Sequence, residues 1–204
     1  MQNDDAAVKA TSEAWLKDMK QLEEHKAWEE HSDDPCMVWK LERDGRLVTK
    51  AQTTFKLPID PVIAYLKDAL FLKKIAADQV DKAEVLHDAG DGRRVIYVKM
   101  KGFGPVSSRE FVAANTFHQE SPQKVYVGNK SLDFLCTIAD PDAVRAKIIV
   151  GGMLIEAVDA GSTRVTAFND VDMKGMIPDF IKNQMSKKRA SNIVELEEKV
   201  RQSM

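Results

Sequence analysis

Apolar positions along the chain recur with two different periods. In the first thirty residues, Val8, Trp15, Met19 and Leu22 fall on one narrow stripe at about 100° per residue, with Lys and Glu around it, which predicts an amphipathic helix. The tract Glu23 to Asp34 has only Ala27 and Trp28 as apolar residues and reads as a solvated helix end and a linker. Period two follows. Met37, Trp39 and Leu41 alternate with Val38, Lys40 and Glu42, and Asp44-Gly45 is a turn signal before Arg46 to Phe55, so a hairpin is expected. Asp60-Pro61 starts a helix, because Asp caps free amides and Pro suits the first helical position. Val62, Tyr65, Leu66, Ala69 and Leu70 continue it at helical spacing.

From Lys82 the pattern returns to strands, read as 82–87, 93–101, 107–118, 124–131, 143–151, 153–158 and 163–172. Gly, Pro and Asp clusters punctuate them, such as Asp88 to Gly92, Gly102 to Pro105 and Asp140-Pro141. Pro178 to Arg201 reads as a long terminal helix bearing Phe180, Ile181, Met185, Ile193, Leu196 and Val200. The order predicts an α+β protein whose helices pack on one face of a curved antiparallel sheet. The chain reads as one domain over 1–204: an N-terminal helix in 1–30, a sheet over 36–172 with a helical insert near 60–72, and a terminal helix over 176–201.

Composition narrows the class. Thirty Lys and Arg against 32 Asp and Glu leave a formal net charge of −2, which excludes a strongly cationic nucleic-acid binder. Ten Gly and seven Pro are too few for a disordered chain of 204 residues. Two cysteines, Cys36 and Cys136, make neither a disulfide framework nor a metal-ligand spacing. The acidic start lacks the cationic region of a signal peptide, and Ile148 to Ile155, the longest apolar run, falls short of the ~20 residues a membrane helix needs. A cytoplasmic protein is expected.

Several motifs fail on spacing. Gly102-Phe103-Gly104 opens like a dinucleotide fingerprint, but Ser107 stands at the third glycine and a strand follows. Asp170-Val-Asp172-Met-Lys174-Gly175 opens like a calcium loop, yet Lys174 and Ile181 break its ligand set. The four histidines form no zinc pattern, and no nucleophile elbow is present. No catalytic set, metal or cofactor is expected. One strand is more informative: Arg109, Phe111, Ala113, Asn115 and Phe117 share a face. If that face lines an interior, the arginine must meet an acid, a bound anion, a ligand oxygen or water. At a wet sheet edge, a neighbouring strand's acid would serve equally.

The stretch Asp172-Met-Lys-Gly-Met-Ile-Pro-Asp-Phe-Ile-Lys-Asn-Gln-Met185 resembles the START family of lipid-transfer domains, where Asp-x-x-Gly-x-(Ile/Leu)-Pro leads into the long terminal helix. Val106-Ser-Ser-Arg-Glu-Phe-Val112 resembles that family's Arg-Asp-Phe-Val element, with Glu110 in place of Asp. Val144 to Lys147, Gly151 to Glu156 and Thr163 to Thr166 resemble its late strands in order and spacing. The resemblance implies a helix-grip fold: a curved antiparallel sheet wrapped around the C-terminal helix, enclosing a hydrophobic tunnel. It implies an intracellular, non-enzymatic carrier that sequesters one phospholipid, fatty acid, ceramide or sterol and exchanges it with membranes. The partners implied are the lipid and a transient membrane surface; the sequence leaves the oligomeric state open, a monomer being the simplest expectation.

On the same resemblance Arg109 becomes the cavity arginine; the shared strand face adds Asn115, Phe111 and Phe117, and the first turn of the terminal helix adds Met176 and Phe180 as apolar lining. Gly175, Ile177, Pro178, Ile181 and Phe103 become the gate and membrane contact. Val95 to Met100 lacks the acid that pairs with this arginine in sterol-binding relatives, and Met176 replaces a common aromatic; both departures weaken the case for a sterol. The competing readings are a cyclase or aromatase-like enzyme on the same grip fold, using Arg109 and Asn115 with Tyr97 or Asp170, and a lipid-responsive sensor.

Overall fold

The computed structural model describes residues 5–33, 36–132, 140–175 and 177–204. Helix α1 (Asp5–Glu24) buries Val8, Trp15, Met19 and Leu22, the stripe expected from sequence. The linker expected after it contains a strand, β1 (Glu29–Asp33), which pairs antiparallel with β2 (Cys36–Arg43). β2 turns through Asp44 and Gly45, both at positive φ, into β3 (Arg46–Phe55). Positive φ at both central residues is the geometry of a type I′ two-residue hairpin.

Two short helices, α2 (Ile59–Leu66) and α3 (Phe71–Ile75), then carry the chain to the opposite edge of the sheet. There β4 (Val80–Gly90), β5 (Arg93–Met100), β6 (Ser108–Ser121) and β7 (Lys124–Ser131) run as an antiparallel meander. The segment read as one strand over 143–151 divides at Ala146. β8 (Ala143–Arg145) pairs in parallel with β6, whereas β9 (Lys147–Asp159) pairs with β7 and with β10 (Ser162–Asp172). β10 closes against β3, giving the order β1-β2-β3-β10-β9-β7-β6-β5-β4. The terminal helix α4 (Asp179–Gln202) lies over one face of this sheet and α1 over the other.

Alternation along each strand feeds two separate cores. Ile96, Val98, Ala113, Val127, Met153 and Ile155 face α4, where Ala190, Ile193, Leu196 and Val200 complete the inner cluster. Tyr126, Val150, Leu154 and Phe168 face α1 around Trp15, and Val95, Tyr97, Val112 and Ala114 gather around Val8. The sheet is thus covered on both faces, which its alternation alone does not require.

Two buried phenols give this outer core a pH signature. Burial and a hydrogen bond to Glu110 push Tyr97 up to about 12, and burial pushes Tyr126 up to about 12. Their neutral forms are favoured in the folded state, so that contribution is intact below the unfolded value of about 10 and is lost as pH rises through about 12. Burial raises Tyr65 as well, so an ultraviolet titration should show all three tyrosines ionising above an exposed phenol, with stability falling steeply past pH ~10. Ionisation of all three near pH 10 in folded protein would contradict this assignment.

Candidate functional site

Between α4 and the inner face of the sheet lies a cavity of about 590 Å³. That volume falls within the roughly 300–1,000 Å³ typical of small-ligand sites. Its walls include Ile96, Val98 and Met100 of β5, Phe111 and Ala113 of β6, and Ile148 and Met153 of β9. Phe71, Leu72 and Ile75 of α3 and Ile193 of α4 close the remaining side. The walls are mostly apolar because each strand turns its branched and aromatic residues inward by period two.

The two ends of α4 are held differently. Near its C-terminus, Glu197 accepts a hydrogen bond from the Lys56 amide at 2.9 Å, and Arg201 donates to the Lys56 carbonyl at 2.7 Å. Leu196 and Val200 are fully buried beside this clamp. Toward the N-terminus, Ile181 is buried close to Gly104 of the β5–β6 loop, and Lys188 pairs with Asp78 at 3.1 Å across exposed side chains. Exposed pairs of that kind contribute about 0–1 kcal/mol. Just before the helix, Lys174 and Gly175 both have positive φ, a double left-handed bend between β10 and α4. A side chain at Gly175 would meet nothing within 4 Å, so backbone conformation alone calls for glycine there.

Arg109 sits at this bend. It lines the cavity, but Nε donates to the Met173 carbonyl at 3.0 Å, one terminal nitrogen to the Lys174 carbonyl at 3.2 Å, and the other to Ser107 O and Oγ at 2.7 and 2.9 Å. Four of the five guanidinium donors are therefore engaged by the protein itself. Arg109→Met should cost about 1.5–3 kcal/mol of stability, the scale of hydrogen bonds to a charged group. Urea unfolding checks it: unchanged stability together with lost lipid affinity would return Arg109 to the ligand.

The other sequence-selected residues spread out. Phe111 lines the cavity, whereas Asn115 and Phe117 are placed beyond it. The Asn115 amide is fully buried and donates to Asn129 Oδ1 at 2.9 Å and more weakly to the Gly128 carbonyl at 3.4 Å. Phe117 packs at the margin of the inner cluster under Lys67. Phe103 lines the mouth and is half-exposed; Phe180 is exposed and does not line the cavity. Ile177 is partly buried and Pro178 exposed, while Met176 lies outside the described residues.

Tyr97 and Asp170, the polar groups an enzyme reading would use, both lie away from the cavity. Asp170 is fully buried and pairs with Arg46 at 2.8 Å. Glu110 is buried on the face opposite Phe111, accepting from Tyr97 Oη at 2.9 Å, Arg145 Nε at 3.0 Å and the Asp140 amide at 3.0 Å. Asn192 of α4 and Gln79 before β4 bring polar groups to the cavity that no sequence motif marks, and Arg189, by sequence one of the basic residues beside the first turn of the terminal helix, lines it too. Helical spacing was the available signal: Arg189 stands in line with Ile193, Leu196 and Val200.

A sheet that grips a helix around an apolar cavity defines a ligand-sequestering class of domain. The sequence matches the START domain family over residues 6–200, and the chain belongs to that family. Among curated proteins no sequence match is found. The fold is similar to that of human StAR-related lipid transfer protein 5, with TM-score 0.85 at 16% identity over 97% of this chain and 98% of that one. It is also similar to a StAR-related lipid transfer protein from Xanthomonas axonopodis, with TM-score 0.70 at 23% identity over 86% of this chain and 99% of that one. The Zhui aromatase/cyclase of a Streptomyces species shares the fold less closely, with TM-score 0.52 at 15% identity over 76% and 93% of the two chains. At these identities the likenesses establish the fold.

Proposed function

We propose that this protein is a non-enzymatic lipid carrier, acting as one module that holds a single lipid in the cavity and exchanges it with membranes. The observation that carries this reading is the 590 Å³ apolar cavity enclosed between α4 and the sheet. A sixteen-carbon chain left in water costs ~13 kcal/mol at roughly 0.8 kcal/mol per CH₂, so spontaneous passage through water is slow. An apolar sleeve lowers that barrier, provided it opens only at a membrane, since a permanently open one exposes a patch liable to aggregate.

The double bend at Lys174-Gly175 serves as the hinge, and the N-terminal half of α4 with the Phe103 loop as the lid. Phe103 and Phe180 are 49% and 59% exposed on these two neighbouring segments, with Lys101 and Lys174 beside them. Exposed aromatics among lysines suit transient contact with an anionic interface. The cyclase reading lacks support because Tyr97, Asp170 and Asn115 are all directed elsewhere. Transfer of a fluorescent phospholipid or fatty acid from donor to acceptor vesicles tests the proposal. Catalysed transfer that rises with protein concentration is expected; no acceleration with any lipid of a broad panel would defeat it.

A further inference from the structure

The charge around the cavity is one-sided. Among the described residues lining it, Lys73, Lys101, Arg109, Lys187, Lys188 and Arg189 are cationic, against Asp78 as the one acid. Asp78 is already paired with Lys188, and Arg109 is engaged by carbonyls. Lys73, Lys101 and Lys187 are exposed and form a solvated rim.

Arg189 differs from all of these. It is partly buried, lines the cavity, and has no hydrogen-bond or ion-pair partner among the described residues. On α4 it occupies the same stripe as Ile193, Leu196 and Val200, all buried against the sheet. An aliphatic residue there would extend the apolar roof; a guanidinium instead brings to it five donors that no protein group among the described residues accepts. Burial lowers the Arg189 guanidinium to about 10, so at neutral pH it keeps its charge while losing part of its hydration. A desolvated, unpaired cation is costly to the empty protein, and an anion entering the cavity repays that cost.

We infer that the cavity takes an acidic amphiphile, an apolar tail bearing a carboxylate or phosphate headgroup, and that Arg189 is the residue that holds the acid. This rests on the carrier reading and narrows its ligand class. The lysine rim adds a positive potential at the mouth, favouring the same sign of charge on the way in.

Two matched pairs test it: oleate against oleyl alcohol, and dioleoyl phosphatidic acid against dioleoylglycerol, each titrated into the full chain. In at least one pair the acid should bind about ten- to a hundred-fold tighter than its neutral partner, the scale of hydrogen bonds to a charged group. Preference within the first pair marks a carboxylate headgroup, and within the second a phosphate. Arg189→Met should remove most of that preference, read as the ratio of the acid's affinity to its neutral partner's, and Arg189→Lys should retain part of it. The Met variant without lipid should melt no lower than the parent, because it removes an unpaired cation from apolar surroundings.

Equal affinity for acid and neutral partner in both pairs would overturn the inference and leave the carrier reading standing. Failure of all four lipids to bind would bring down both. An Arg189→Met protein that melts markedly lower, or that keeps the full acid preference, would show Arg189 to be structural and overturn the inference.

Discussion

Trp15→Ala is expected to lower the free energy of unfolding by about 3–5 kcal/mol, the range for emptying a buried large aromatic site. The Trp15 ring is fully buried and sits over the pair Gly128 and Gly152, which face each other across β7 and β9. Its indole N–H donates to the Gly151 carbonyl at 3.0 Å. Neither glycine can refill the space. A Cβ at Gly152 would lie 2.6 Å from the Val127 carbonyl oxygen and 3.0 Å from the Trp15 ring, and one at Gly128 would collide with the Gly151 carbonyl. The void therefore persists, and a backbone acceptor loses its donor. Urea denaturation measures the loss; a change below ~1 kcal/mol would mean that α1 is dispensable to the sheet.

A cross-link across the lid should abolish lipid exchange while leaving bound lipid in place. Asp78 and Lys188 mark the site, since their side chains already meet at 3.1 Å between the start of β4 and α4. Cysteines at these two positions, in a background with Cys36 and Cys136 replaced by alanine, can be bridged by a short bismaleimide with a cleavable disulfide. The bridged protein should transfer lipid at the uncatalysed rate, and reduction should restore transfer. Retained lipid and an unchanged melting curve separate a locked lid from an unfolded protein. Full-speed exchange in the bridged form would move the gate elsewhere, the Gly102-Phe103-Gly104 loop being next.

What the sequence revealed depended on how strongly period and neighbours agreed. The α1 stripe and the strands Arg46–Phe55 and Lys124–Ser131 emerged where they were read, because regular burial writes its period into the residues. Strand β1, with the sequence Glu-Glu-His-Ser-Asp, carries no apolar alternation; pairing with β2 at the sheet edge makes it a strand. Face alternation grouped Arg109 with Asn115 and Phe117 correctly as one side of β6. It could not show that this strand outruns the cavity, spanning about 26 Å between Arg109 and Phe117 at ~3.3 Å per residue. Nor could it show which partners claim each polar group. Arg109 is engaged by carbonyls 64 and 65 residues away, and Asn115 by an amide on the next strand. Arg189 was hidden for the opposite reason: in the run Lys187-Lys188-Arg189 it reads as one more solvated charge, and only the docking of α4 turns it inward.

The central claim, that the space between α4 and the sheet is built for one lipid, is tested most directly by native mass spectrometry. Purified protein is incubated with vesicles of mixed composition, separated from them, and weighed intact. The expected species is heavier than the 22.9 kDa chain by the mass of one lipid, which is lost when the protein is denatured. A protein that leaves every vesicle mixture at its own mass, while folded, would contradict it.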